Sequence, residues 1–381
     1  MTAQKTFTLL TVLVAGFIIS GCGVVSNAVD KVTGLVGLNE TGTVIATRAQ
    51  IRSSYAVVAA DLLEVKRGDA LEVLDEIDFE KVHWYRVRAK DDDKTEGWIE
   101  AQNLITSALL DKSLKIADED KEYQPQATGQ IRAATNLRTT PEQRDDNILV
   151  KLDNLSTFEI VSWRFVPKVQ DASDVDNAKR GEQKTVKGKT KNAEIEAAKE
   201  ANEPEKVDEK YDIWYKVRLD RSVSPAPAGW IFGRQVELQV PSDIVFYQNN
   251  NKKYVTWQRL DNFDANDKSV AKDNVKTSKP GSWVILSRSN IVKAQDGVEA
   301  DFDGILVLAY DKYNEEHYTA YRSGDVWGTL PLKIEGAGDN KTFVLKLRNA
   351  VGQMEEKRFV TFKDPKGRLK VTVPEGVAAG K

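Results

Sequence analysis

Two short stretches, Trp84-Tyr85-Arg86-Val87-Arg88 and Gly97-Trp98-Ile99, are the strongest indication of fold in this sequence. Both return later in the same order, as Trp214-Tyr215-Lys216-Val217-Arg218 and Gly229-Trp230-Ile231. An ordered set of landmarks that occurs twice indicates an internal structural repeat.

The first stretch alternates in the manner of a β-strand. Trp84, Arg86 and Arg88 share one face, while Tyr85 and Val87 share the other. Upstream landmarks repeat as well, and the short runs between them are separated by turn residues, which is typical of small barrels. The upstream pairs are Gln50-Ile51-Arg52 with Asn136-Leu137-Arg138, and Leu71-Glu72-Val73-Leu74 with Phe158-Glu159-Ile160-Val161.

This ordered set of landmarks resembles the bacterial SH3 domain family, SH3b. The resemblance implies two small SH3-like barrels in tandem, over residues 43–106 and 127–239. Family members bind cell-wall peptides or glycan, or act as protein-interaction modules, so the resemblance implies a binding role. The two copies depart from the family in the loops that shape the ligand groove, where the first has Ser53-Ser54-Tyr55 and the second has Thr139-Thr140-Pro141-Glu142.

Three aromatic residues are the candidate ligand contacts. Tyr55 lies in a predicted loop, and Trp84 and Trp214 begin the alternating strands, where a side chain can border the groove. We expect Trp98 and Trp230 to pack in or against the barrels. We expect Gly97 and Gly229 to allow a tight hairpin corner where a side chain would clash.

The second copy carries a charged insertion, residues 166–210. It has no aromatic side chain and is dominated by Lys, Glu, Asp and Ala, so it cannot bury enough apolar surface to offset the entropy of ordering. We expect a mobile loop within a barrel hairpin. Recruitment of a partner is the alternative reading of this segment.

The remainder, residues 241–375, reads as one all-β domain of no recognised family. Its strand-like runs extend from Ile244 to Val373 and are separated by turn signals such as Asp364-Pro365-Lys366-Gly367. The expected fold class is therefore all-β: two small barrels followed by an antiparallel β-sandwich or barrel.

Composition excludes several functions. The 381 residues include 55 Lys and Arg against 58 Asp and Glu, a net charge of −3, which argues against nucleic-acid binding. One cysteine excludes an internal disulfide, a cysteine-based zinc site and, because that cysteine has another role, a cysteine peptidase. Two isolated histidines, His83 and His317, and the absence of a G-x-S-x-G motif predict a protein that is not an enzyme. We predict no metal and no cofactor, although the oxygen-rich loop 261–267 leaves calcium open.

The N-terminus resembles that of a bacterial lipoprotein. An apolar run, Leu9 to Ile19, has the length of a signal-peptide core and ends at Ile19-Ser20-Gly21-Cys22, which is similar to a lipobox. The resemblance implies a signal peptide over residues 1–21, lipid attachment at Cys22 and a lipidated tether over residues 22–42. An ordinary secretory signal is the alternative. In lipoproteins of Gram-negative bacteria an Asp after the cysteine commonly signals retention in the inner membrane. Position 23 is Gly, so the resemblance implies the outer membrane, facing the periplasm, in a Gram-negative host.

Together these features predict a membrane-anchored envelope lipoprotein that binds peptidoglycan or an envelope protein without catalysis. A second hypothesis is an assembly subunit of an envelope complex that acts through its C-terminal domain. A third is a hydrolase whose site gathers Asp301, Asp303 or His317.

Overall fold

The computed structural model describes residues 40–168, 210–248, 252–261, 280–337 and 340–380. The chain forms two compact units, Met1–Ser107 and Ala108–Lys381, called here the first and second units. Several predicted features lie outside the described residues: the signal peptide 1–21, Cys22, the tether up to residue 39, most of the insertion 166–210 and most of the acidic loop 261–267. No helix in the described ranges has the length and apolar character needed to cross a membrane.

The described residues of the first unit form one antiparallel sheet of seven strands. The strands are β1 (Glu40–Val44), β2 (Arg48–Arg52), β3 (Asp61–Lys66), β4 (Ala70–Phe79), β5 (Val82–Arg88), β6 (Glu96–Glu100) and β7 (Leu104–Thr106). Their order in the sheet is β3-β2-β6-β5-β4-β1-β7, so strands that are neighbours in the sheet are not always neighbours in the sequence.

Every strand of this sheet contributes to a single core. Central strands provide Val87 and Ile99, and the edge strands provide Val65 and Leu104, all buried in one cluster. A flat sheet cannot bring both of its edges to one core, so the sheet curls into a small barrel. Val87 is fully buried while Arg86 and Arg88 face outward, which confirms the predicted alternation of β5.

The second unit begins with a sheet of the same design. Its order, β10-β9-β13-β12-β11-β8-β14, is that of the first sheet with each strand number raised by seven. The strands are β8 (Ala127–Ile131), β9 (Thr135–Arg138), β10 (Ile148–Leu152), β11 (Thr157–Pro167), β12 (Tyr211–Arg218), β13 (Ala228–Phe232) and β14 (Val236–Leu238). The charged insertion therefore falls between β11 and β12, whose ends pair through Pro167 and Tyr211.

Details of the two sheets repeat as well. Arg52 pairs with Trp98 between β2 and β6, and Arg138 pairs with Trp230 between β9 and β13. The register shift that follows Val73 in β4 recurs after Ile160 in β11, at the matched position. The repeat seen in the sequence is thus a repeat of strand order, pairing and bulge.

A helix, α1 (Ser107–Glu119), starts at the boundary of the two units and lies against the second sheet. The fully buried Ser113 hydroxyl donates to the carbonyl of Ala228, 2.6 Å away, and accepts the Ala228 N–H at 3.1 Å. At its end, the carboxylates of Glu119 and Asp120 lie 2.7 and 2.5 Å from the buried ammonium of Lys216. Because Lys216 and Ala228 face away from the barrel core, α1 covers an outer face of the second sheet.

The C-terminal region is a β-sandwich. Its first sheet is β15 (Lys253–Arg259), β16 (Trp283–Arg288), β17 (Gly304–Asp311) and β18 (Glu316–Arg322), and its second is β19 (Gly328–Ala337), β20 (Asn340–Arg348), β21 (Met354–Lys363) and β22 (Leu369–Thr372). Both sheets bury residues in one core, where the rings of Phe343 and Phe359 stack 4.6 Å apart. The all-β fold class predicted from sequence is confirmed.

The second sheet and the sandwich share a buried polar junction. Gln126, fully buried, donates from Nε2 to the carbonyl of Leu332 at 3.2 Å and accepts the Leu332 N–H at 2.7 Å. The Trp163 indole donates to Asp301 at 2.9 Å, and the Arg288 guanidinium lies 4.5 Å from the ring centre of Phe165. These contacts join the second barrel and the sandwich into one compact unit.

Candidate functional site

Tyr55 stands in the loop between β2 and β3, as predicted, and it is half-buried. Its ring lies 4.9 Å from that of Phe79 and meets the ring of Trp98 edge-on at 5.1 Å. Phe79 and Trp98 are also half-buried, so each of the three rings keeps part of its surface in solvent. We call Tyr55, Phe79 and Trp98 the aromatic platform.

The loop that carries Tyr55 also presents two apolar side chains to solvent. Val57 is 81% exposed and Val58 is 94% exposed. The loop of Tyr55 thus exposes two apolar side chains, and exposed apolar groups are used by proteins for recognition.

Hydrogen bonds hold this loop in place. Arg52 donates from Nη2 to the carbonyls of Val57 and Ala59, at 2.9 and 3.3 Å. Ser53 closes the loop through its N–H to the Ala60 carbonyl at 2.8 Å, and its hydroxyl accepts the Ala60 N–H at 3.1 Å. The valines are therefore displayed by a preorganised loop, which lowers the entropy cost of binding.

The charges beside the platform are largely paired with one another. Arg88 lies 2.6 Å from Glu96 and 2.7 Å from Glu72, and Arg86 lies 3.0 Å from Glu96. The hydrogen bond from Arg88 lowers the pKa of the Glu96 carboxyl, and the same bond raises the pKa of Arg88. The charges of these two cations and two anions therefore offset one another.

The two tryptophans singled out from sequence are buried. Trp84 is 5% exposed and Trp214 is 2% exposed, so neither ring offers a ligand more than a narrow edge. Arg52, which holds the loop, lies 6.0 Å from the ring centre of Trp84, and Phe232 lies 5.2 Å from that of Trp214. Both tryptophans pack against neighbouring side chains, and a ligand contact at either one stays a prediction. Their outward-facing strand positions are covered by neighbouring side chains, which alternation alone does not reveal.

The second copy lacks the platform. Its counterpart of the Tyr55 loop is polar and holds Glu142, Arg144 and Asp146, with Arg144 paired to Asp146 at 2.5 Å. The counterpart of Trp98 is Trp230, which is buried, with the Arg164 guanidinium 5.4 Å from its ring centre. The two copies therefore share their strand order and pairing, while the aromatic platform is a feature of the first copy.

The side chains that the sequence offered for catalysis or metal binding form hydrogen bonds within the fold. Asp301 accepts from Trp163 and from the Leu330 N–H, and Asp303 accepts the N–H groups of Ser289 and Ile291. His317 is buried, with Nε2 2.9 Å from the Gly281 carbonyl and 3.7 Å from Asp243, while His83 bonds Asp78 at 2.8 Å. Within the described ranges, no cluster of three or more His, Cys, Asp or Glu side chains could hold a metal ion.

Among these residues the sequence predicts a ligand contact at Tyr55 and a packing role for Trp98, and it singles out none of Phe79, Val57 and Val58. Phe79 is the last residue of β4, and it alternates with Ile77 as the apolar residues of a strand face do. The acidic residues around Ile77 and Phe79 make this alternation an ambiguous signal. Val58 carries no pattern at all, because its exposure follows from the way Arg52 folds the loop. No family model matches the chain, and no curated protein matches it.

Proposed function

We propose that this chain is a lipid-anchored bacterial envelope protein whose first barrel binds peptidoglycan or an envelope protein without catalysis. One observation carries the proposal: the aromatic platform, together with the exposed Val57 and Val58 of the Tyr55 loop, occurs in the first of two otherwise matched sheets. The SH3b resemblance of the landmarks in the sequence supports the same class of ligand.

The two copies have different surroundings, and this supports different roles for them. The second sheet is joined to the sandwich through Gln126 and Trp163, and α1 covers part of its outer face. The first sheet belongs to a separate compact unit. We therefore assign recognition to the first sheet and a supporting role to the second.

Lipid attachment at Cys22 would allow the first barrel to bind its ligand with low intrinsic affinity. A protein held at the membrane meets a wall ligand at a high effective concentration, so a shallow apolar platform can hold it without a tight individual contact. Cys22 and the tether up to residue 39 lie outside the described residues, and the anchor rests on the lipobox resemblance in the sequence.

The test is co-sedimentation of the purified full chain with peptidoglycan sacculi. We expect Tyr55→Ala to weaken binding by about tenfold, the usual scale for an interface aromatic residue. Val58→Ser, at a position 94% exposed, should weaken binding without disturbing the fold. Tyr123→Ala is the matched control, because Tyr123 is 42% exposed in the second unit and should leave binding unchanged.

A second candidate function, an assembly subunit that acts through the C-terminal region, is favoured by a separate observation. Val245, Phe246 and Tyr247 form a short 3-10 turn ahead of the sandwich, and the Phe246 ring is 87% exposed. If this function holds, a stoichiometric partner co-purifies from membranes with the wild type and is lost with Phe246→Ser. In that case sacculus binding by the wild type is absent.

A further inference from the structure

A polar cleft opens at one end of the sandwich. It has a volume of ≈ 570 Å³ and lies where the end of β15 and the start of β16 meet the β17–β18 and β21–β22 hairpins. A cleft of this volume is in the range of small-molecule sites and is much larger than a single inorganic anion needs.

Among the described residues that line this cleft, cationic side chains outnumber acidic ones. Lys312, Lys363, Lys366 and Arg368 line it, against Asp261 and Asp311, in a chain whose overall charge is −3. The local sign is thus opposite to that of the whole protein, which favours an anionic ligand.

The two carboxylates are already engaged by the fold. Asp311 accepts the N–H groups of Tyr313 and Asn314 at 2.9 and 3.3 Å, and the Tyr313 bond is the main reason that the pKa of Asp311 is lowered. Asp261 accepts the Ser282 N–H at 2.6 Å. The carboxylates therefore shape the turns and the mouth of the cleft, while Lys366 and Arg368 stand exposed on the β21–β22 turn.

Tyrosines supply the rest of the lining. The Tyr318 hydroxyl accepts the Leu369 N–H at 2.7 Å and keeps its own proton to donate, while Arg368 lies 5.7 Å from the ring centre. Tyr310 also lines the cleft, and Tyr313, 95% exposed, stands at its rim. Tyrosine combines an apolar ring face with a hydroxyl, which suits a ligand that carries both C–H faces and hydroxyl groups.

We propose that this cleft binds a phosphate-bearing sugar, with the phosphate held by Lys366 and Arg368 and the sugar body set among Tyr310, Tyr313 and Tyr318. Lysine and arginine together give a phosphate charge-assisted hydrogen bonds from several directions. The ≈ 570 Å³ volume accommodates a sugar in addition to its phosphate. This site is separate from the aromatic platform and does not depend on it.

The experiment is isothermal titration of the purified full chain with four probes: glucose 6-phosphate, glucose, inorganic phosphate and glycerophosphoglycerol, the soluble headgroup of phosphatidylglycerol. We expect saturable binding of glucose 6-phosphate, tighter than that of each other probe. Lys366→Glu should weaken it by about tenfold, the lower end for a lost charge-assisted hydrogen bond. Lys370→Glu is the matched control, since Lys370 is exposed on β22 but does not line the cleft.

Four outcomes would overturn the proposal. The first is that no phosphate probe binds to folded protein. The second is that Lys370→Glu weakens binding as much as Lys366→Glu, which would mean a general charge effect. The third is that inorganic phosphate binds as tightly as glucose 6-phosphate, which would show that the sugar contributes nothing to binding. The fourth is that glycerophosphoglycerol binds at least as tightly as glucose 6-phosphate, which would point to a lipid headgroup as the ligand.

Discussion

The side-chain amide of Gln126 forms both possible backbone hydrogen bonds with Leu332, donating at 3.2 Å and accepting at 2.7 Å. Gln124 does the same with Ile334, at 3.3 and 3.2 Å. Two side chains thus occupy the free edge of β19 in the manner of a neighbouring strand. An edge strand left with unpaired polar groups favours unwanted association, so this arrangement both protects β19 and joins it to the second barrel.

The buried member of this pair should matter much more than the exposed one. Gln126→Ala leaves the Leu332 N–H and carbonyl without partners in a buried site, and we expect a loss of about 2–3 kcal/mol in the free energy of unfolding. Gln124→Ala exposes equivalent groups to water and should cost less than about 1 kcal/mol. Urea unfolding of the two variants measures the difference. Equal losses would show that Gln126 does not carry the junction.

Asp301 gives the junction a dependence on pH. Burial raises the pKa of its carboxyl above the ordinary value, against smaller opposing effects from Leu330, Arg288 and Trp163. A group whose pKa is higher in the folded state stabilises the fold below its unfolded pKa, about 3.9 for Asp, and that stability is lost as the pH rises through the folded pKa.

The comparison that isolates this effect is with Asp301→Asn, which does not titrate. We expect the unfolding free energy of the wild type, relative to the variant, to decrease as the pH rises above about 4. Chemical denaturation across this range measures it. A constant difference, or one that grows with pH, would contradict the assigned direction of the pKa.

Two tyrosines of the sandwich should respond in opposite ways to loss of the hydroxyl. The Tyr254 hydroxyl is buried without a hydrogen-bond partner among the described residues, and burial raises the pKa of this phenol to about 12. Tyr254→Phe removes an unsatisfied polar group, so we expect stability to be unchanged or to rise by up to about 1 kcal/mol. Tyr318→Phe deprives the Leu369 N–H of its acceptor and should cost about 1 kcal/mol. Thermal unfolding of the two variants measures the difference in stability. A larger loss of stability in Tyr254→Phe than in Tyr318→Phe would contradict the prediction.

Gly97 tests how closely the strands of the first barrel approach. A Cβ at this position would stand 2.4 Å from the Arg52 carbonyl oxygen, a contact with backbone that cannot swing away. We expect Gly97→Ala to destabilise the first unit by about 1–3 kcal/mol. Gly324→Ala is the control, because its new Cβ would meet neighbours at 3.8 Å, an ordinary contact. Hydrogen exchange of the first unit reports the loss, and protection equal to that of the wild type would contradict it.

The internal repeat could be predicted from the sequence because several of its positions are sterically constrained. Residues such as Gly97 and Gly229 are fixed by steric contact, since a Cβ on either would enter a neighbouring backbone carbonyl. The prediction that a side chain would clash there is confirmed, although the contact is with the adjacent strand rather than at a hairpin corner. Sterically constrained positions carry the same residue in both copies, so they can be found by comparing the chain with itself.

The aromatic platform could be predicted only in part, because it depends on contacts between residues that are distant in the sequence. Tyr55 could be selected as a loop aromatic, but its partners Phe79 and Trp98 come from two other strands. The burial of Trp84 and Trp214 was equally hidden, since their strand faces point away from the core and neighbouring groups cover them. Packing of this kind is not encoded in the alternation of one strand.

The most direct test of the central claim is sedimentation of the full chain with peptidoglycan sacculi across a salt series. We predict saturable binding that resists salt, because the charges beside the aromatic platform are paired and the contact is apolar. Binding should fall with Tyr55→Ala and Val58→Ser and remain with Tyr123→Ala. Absence of binding by the folded wild type, or equal binding by all three variants, would contradict recognition of the wall by the first barrel.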